Sequence, residues 1–112
     1  MIYITVLLIT NNNFMDNKQF LRHLQSTFDA CINIAKIKNE DYANSDNPFK
    51  NFEMSTQVGV APARAILVRI SDKISRISNL IDREASVKEE RITDAIDDAI
   101  NYLAILKAYL DK

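Results

Sequence analysis

Apolar residues recur along most of this chain at the three- and four-residue steps of a helix. Between residues 16 and 38, Phe20, Leu24, Phe28, Cys31 and Ala35 fall on one helical face, with Leu21 and Ile32 beside them. Asp16 and Asn17 stand where an N-cap is needed. A second stripe, Ile66, Ile70, Ile74, Ile77 and Ile81, predicts a helix from about Pro62 to Arg83. Pro62 suits its first turn, and Gly59 breaks the short helical turn that "STQVGVAPAR" suggests ahead of it. A third stripe, Ile92, Ile96, Ala99, Ile100, Leu103, Leu106 and Leu110, predicts a helix over residues 88–110, with Ser86 and Glu89 spaced as a capping box. The expected fold is all-α: an antiparallel bundle of three long helices, with a long aromatic-containing loop between the first and second.

Two stretches escape this periodicity. The opening "MIYITVLLIT" is apolar and β-branched, but too short to cross a bilayer, which takes about 20 apolar residues. It also lacks the positive n-region and small-residue cleavage site of a signal peptide. Residues 1–15 therefore read as an N-terminal apolar extension. It is either a strand completed by another chain or a segment upstream of a start at Met15. Residues 16–112 read as a single helical domain. The other stretch, "KNEDYANSDNPFKNFEM", is polar yet carries Tyr42, Phe49 and Phe52, more apolar surface than a linker uses.

Composition narrows the function. With 112 residues, one Gly and two Pro, the chain has room for one core and few turns. Fourteen basic against fifteen acidic side chains argue against non-specific nucleic-acid binding, which runs on excess Lys and Arg. A single cysteine, Cys31, excludes an intramolecular disulfide and fits a cytoplasmic location; it lies on the apolar face and reads as packing. No membrane partner is expected.

The polar faces carry the candidate chemistry. On the second helix Arg69, Asp72, Arg76 and Asn79 share a strip opposite the isoleucines, either a solvated ladder or a ligand face. On the third, Glu90, Asp94, Asp97, Asp98 and Asn101 cluster away from the core stripe. Their mutual repulsion needs an offset from solvent, the arginines, or a divalent cation; Asp94 and Asp98 form a pair of the kind Mg²⁺ accepts, making it the candidate cofactor. Farther along, Ile105, Ala108 and Tyr109 make the helix apolar nearly all round, so a homo-oligomer is expected.

Taken in order, "KNEDYANSDNPFKNF", "RISDKISRISNL" and "DAIDDAINYLAI" resemble small phage and bacterial nucleotide-modification-associated domains, over roughly residues 20–110. That family is distantly similar to the all-α, MazG-like nucleoside-triphosphate pyrophosphatases. The resemblance implies nucleotide handling in the host cytoplasm by Lys38, Asp41, Tyr42, Phe49, Asn51 and Phe52 from the loop. It adds Arg69, Asp72, Lys73 and Arg76 from the second helix, and Asp94, Asp98, Asn101 and Tyr102 from the third. Asp94-Ala-Ile-Asp97 stands where an E-x-x-D would lie, whereas the first helix has no E-x-x-E. Elementary chemistry agrees with a nucleotide. Tyr42, Phe49 or Phe52 could stack on a base, Lys38, Arg69, Lys73 and Arg76 could hold phosphate, and Asn51 and Asn101 could read donor and acceptor edges. The competing reading has Phe49 and Phe52 simply capping the core. Three functions follow as expectations: a nucleotide-binding protein with Mg²⁺-dependent pyrophosphohydrolase chemistry, a non-catalytic sponge for a nucleotide second messenger, or a protein-binding inhibitor.

Overall fold

The computed structural model describes residues 14–41, 46–83 and 91–112. Several expectations lie outside these: the apolar run of residues 1–13, Tyr42, the Ser86–Glu89 capping box, Glu90, and the side chain of Asp41. The chain is all-helical among the described residues. Its elements are α1 (Asn17–Asp41), α2 (Lys50–Glu53), a 3₁₀ turn (Met54–Val58), α3 (Pro62–Ile81) and α4 (Ile92–Asp111). None of these helices is long and apolar enough to cross a membrane.

The helix starts follow local chemistry. Asp16 and Gln19 cap α1 reciprocally: Gln19 N–H donates to Asp16 Oδ1 at 2.8 Å, and Asp16 N–H to Gln19 Oε1 at 2.9 Å. The 3₁₀ turn ends at Gly59, whose φ of 78° is the left-handed conformation that ends helices cheaply only at glycine. Ala61 is extended and Pro62 opens α3, where its missing N–H costs nothing. On α4, Asp94 occupies the first turn, where a carboxylate complements the helix dipole.

The segment read as a 38–53 loop is partly helical. α1 continues to Asp41, and α2 begins at Lys50. Asn47 organises the entry to α2: its Oδ1 accepts from Phe49 N–H at 3.0 Å, and its side-chain amide donates to Glu53.

The buried apolar side chains are Cys31, Ile66, Ile70, Leu80, Ala95 and Ala99. On α3 the inward positions are Ile66, Ile70, Lys73, Ile77 and Leu80; on α4 they are Ile92, Ala95, Ala99, Tyr102, Leu106 and Tyr109. Both runs alternate steps of three and four, the 3.5-residue repeat of helices that keep one seam together. This corrects part of the isoleucine and leucine stripes, of which Ile66, Ile70, Ile77, Ile92, Ala99 and Leu106 do face inward. Ile74, Ile81, Ile96, Leu103 and Leu110 are exposed, because the small Ala95 and Ala99 let α4 approach closely on a seam rotated away from them.

α4 also meets α1, on the face read from sequence as lying away from the core stripe. Asn101 Nδ2 donates to the Cys31 carbonyl at 3.1 Å, and Cys31 Sγ lies 3.8 Å from the Asp97 carbonyl. Burial, with Asp97 and Asp98 nearby, raises the Cys31 pKa and keeps the thiol protonated, so it packs rather than reacts. The apolar strip at the end of α4 is partly used within the chain: Tyr109 meets Phe49 edge-on at 5.4 Å, and Lys112 Nζ sits 4.3 Å from the Tyr109 ring centre.

Candidate functional site

Where α1, α3 and α4 converge with the α2 segment lies a cleft of about 690 Å³. Each wall has a distinct character. α1 contributes Ala35, Lys38 and Asn39; the α2 segment contributes Pro48, Asn51, Phe52, Met54 and Ser55. α3 gives Ala65 and Arg69, and α4 gives Asp98, Asn101, Tyr102 and Ile105. The volume falls in the range of small-molecule sites, which combine apolar walls with a few polar groups.

The charged end is built on Asp98. Lys73 Nζ lies 2.9 Å from one carboxylate oxygen and Lys38 Nζ 3.6 Å from the other. Lys73 is an inward position of α3, and Lys38 continues the three–four repeat of α1 through Cys31 and Ala35. Two lysines in otherwise apolar seams are tolerable because their stems pack while their ammoniums reach one carboxylate. The acidic cluster on α4 therefore finds its offset in lysines from two other helices. Arg69 also lines the cleft and forms no ion pair among the described residues. The cleft thus holds the Asp98 carboxylate with Lys38 and Arg69, and Lys73 pairs with that carboxylate from outside the lining.

The apolar end is aromatic. Phe52 and Tyr102 meet edge-to-face, with ring centres 6.2 Å apart and an interplanar angle of 85°. Ser55 Oγ lies 2.6 Å from both the Phe52 and Val60 carbonyls, tying the 3₁₀ turn to the cleft wall. Asn101 spends one amide proton on Cys31, which fixes its orientation and leaves its oxygen as an acceptor.

Among the residues expected to bind nucleotide or metal, Lys38, Asn51, Phe52, Arg69, Asp98, Asn101 and Tyr102 are brought together here. Lys73 reaches the same place through Asp98. Phe49 lies elsewhere, against Tyr109. Asp72 and Arg76 line a separate shallow depression of about 250 Å³, with Lys73, Ser75 and Asn79. Asp94 is exposed and lines neither cavity. Among the described residues no group of three or more His, Cys, Asp or Glu side chains is placed to hold a metal ion.

Sequence reasoning missed Asn39, Pro48, Met54, Ser55, Ala65 and Ile105, and read Ala35 only as core. Ala65 and Ile105 had a usable signal, each lying one turn from a candidate residue, Arg69 and Asn101, on the same helix face. Comparison with known proteins adds no further residues: no protein-family model, curated protein or solved structure matches this chain.

Proposed function

We propose that this chain binds a phosphorylated nucleotide in the cleft between α1, α3, α4 and the α2 segment. The observation that carries the reading is the pairing of an aromatic wall, Phe52 with Tyr102, and a cationic end, Lys38 with Arg69, in one cavity. A base has a π-face for the first, and a phosphate has the charge for the second. Arg69, with no carboxylate partner among the described residues, is the group best suited to a bidentate phosphate contact. Asn51 and Asn101 provide side-chain amides for the edge of a base or ribose. The resemblance of the motif order to that of nucleotide-modification-associated domains is in keeping with the same ligand class.

Between turnover and sequestration, the ion pairs on Asp98 favour sequestration. Mg²⁺ would take Asp94 and Asp98 as its protein ligands and would supply charge neutralisation and an activated water. Asp98 is already engaged by two ammoniums, so it fits the metal only if both release it. Phosphate binding through Arg69, which forms no ion pair among the described residues, asks for no such exchange. The sponge reading, in which ligand is held and returned intact, is therefore preferred to pyrophosphohydrolase chemistry.

Isothermal titration with a panel of nucleoside di- and triphosphates and cyclic dinucleotides, with and without Mg²⁺, tests this. At least one should bind, and Arg69→Ala should weaken it about tenfold, the scale of one charge-assisted contact. Recovery of unaltered ligand supports sequestration, whereas pyrophosphate release restores the enzyme. No binding across the panel, or an unchanged affinity in Arg69→Ala, overturns the assignment.

A further inference from the structure

The seam on α1 is only half covered. Its three–four repeat runs Leu21, Leu24, Phe28, Cys31, Ala35, Lys38, and the last three meet α4 or the cleft. The first three do not: Leu21 is 61% exposed, Leu24 36% and Phe28 46%, with Phe20 at 52% and Ile32 at 52% beside them. These five side chains form one continuous band at helical spacing. Together they present on the order of 500 Å² of apolar surface, at the upper end of the largest patch on a typical monomer.

We propose that this band pairs with the α1 of a second copy of the same chain, antiparallel, about a two-fold axis close to Leu24. Three observations select this occupant. The first is area: a stable pair buries about 800 Å² per partner, about 65% of it apolar in homodimers, which is close to what the band supplies. The second is self-complementarity. An antiparallel pairing centred on Leu24 sets Phe20 of one copy against Phe28 of the other, with the two Leu24 side chains meeting on the axis. This is the isologous arrangement that a two-fold dimer requires. The third is charge. Lys18 lies six residues before the axis and Asp29 five after it, both on the same flank of the helix. The two-fold operation therefore brings Lys18 of each copy opposite Asp29 of the other. Among the described residues Asp29 accepts only a hydrogen bond from Gln25, at 3.0 Å, and Lys18 has no ion pair.

The interface differs from one expected at the end of α4, where Tyr109 already packs on Phe49. It is also independent of what fills the cleft, since none of these band residues lines it.

Sedimentation equilibrium on the full chain should show a dimer at micromolar concentration. Leu24→Glu places two carboxylates on the axis and should raise the dissociation constant at least about 100-fold, with helicity by circular dichroism retained. Lys18→Glu and Asp29→Lys should each weaken the dimer, and the double variant, with the charges exchanged, should restore it. Leu24→Cys in a Cys31→Ala background should form an inter-chain disulfide under mild oxidation. This readout stands even if Leu24→Glu fails to fold. A monomeric wild type, a dimer untouched by Leu24→Glu, or no crosslink at position 24 overturns the proposal. So does a monomer that begins to associate when residues 1–14 are deleted, because that would make the chain's own N-terminal run the occupant.

Discussion

The α3–α4 pair and α1 are written in the same three–four repeat, yet only the pair is buried or half-buried all along it. α3 and α4 close on Ile66, Ile70, Leu80, Ala95 and Ala99, whereas on α1 the repeat is buried at Cys31 alone and exposed at Leu21, Leu24 and Phe28. A repeat specifies which face of a helix is to be covered; it does not specify how much of that face the same chain can reach. α3 and α4 are consecutive and joined by residues 82–91, so packing one on the other costs little loop entropy. α1 is held farther down by a few specific contacts: Asn101 to Cys31, and the lysines on Asp98.

That contrast can be broken most forcefully at Ile66, the one large side chain with no exposure among the described residues. Ile66→Ala should destabilise the fold by about 3 kcal/mol, from lost transfer energy plus an unfilled cavity, read from the urea midpoint at constant m. A loss below about 1 kcal/mol would mean that the pair is far looser than its burial suggests. Next comes the bridge between the two regions. Asp98→Asn leaves the half-buried Lys73 ammonium without its counter-charge and should cost about 1–2 kcal/mol. It should also lower protection of α1 amides in hydrogen exchange more than those of α3. Equal losses in both helices would show that Asp98 does not tie α1 down. The smallest effect sharpens the point. Ile74→Ser, on the same helix as Ile66 but 55% exposed, should change stability by no more than about 0.5 kcal/mol. A large loss there would restore the isoleucine stripe as the core.

Much of the fold was legible because helix signals are local. Asp16, Gly59 and Pro62 announce their roles within a few residues, and the structure uses them as caps and breaks. The core face was misread because hydrophobicity was weighed by side-chain size. Ala95 looks incidental beside Ile96 and Leu103, but close approach of two backbones selects the small residue. The cleft was partly legible for a related reason. Lys38 and Arg69 stand out as cations beside apolar positions, while Ser55, Met54 and Asn39 join the cleft only through tertiary placement. Nothing in the spacing of Lys38, Lys73 and Asp98 shows that three separate helices deliver them to one point.

The limited attachment of α1 has a consequence for timing. The helix contributes Ala35, Lys38 and Asn39 to the cleft, yet it supplies none of the residues Ile66, Ile70, Ala95 and Ala99 buried between α3 and α4. Opening of α1 should then be a separate event of lower free energy than global unfolding, visible as a distinct class of exchanging amides over residues 17–41. A ligand touching Lys38 would be felt first as a slowing of that class, before any rise in the melting temperature of the α3–α4 pair.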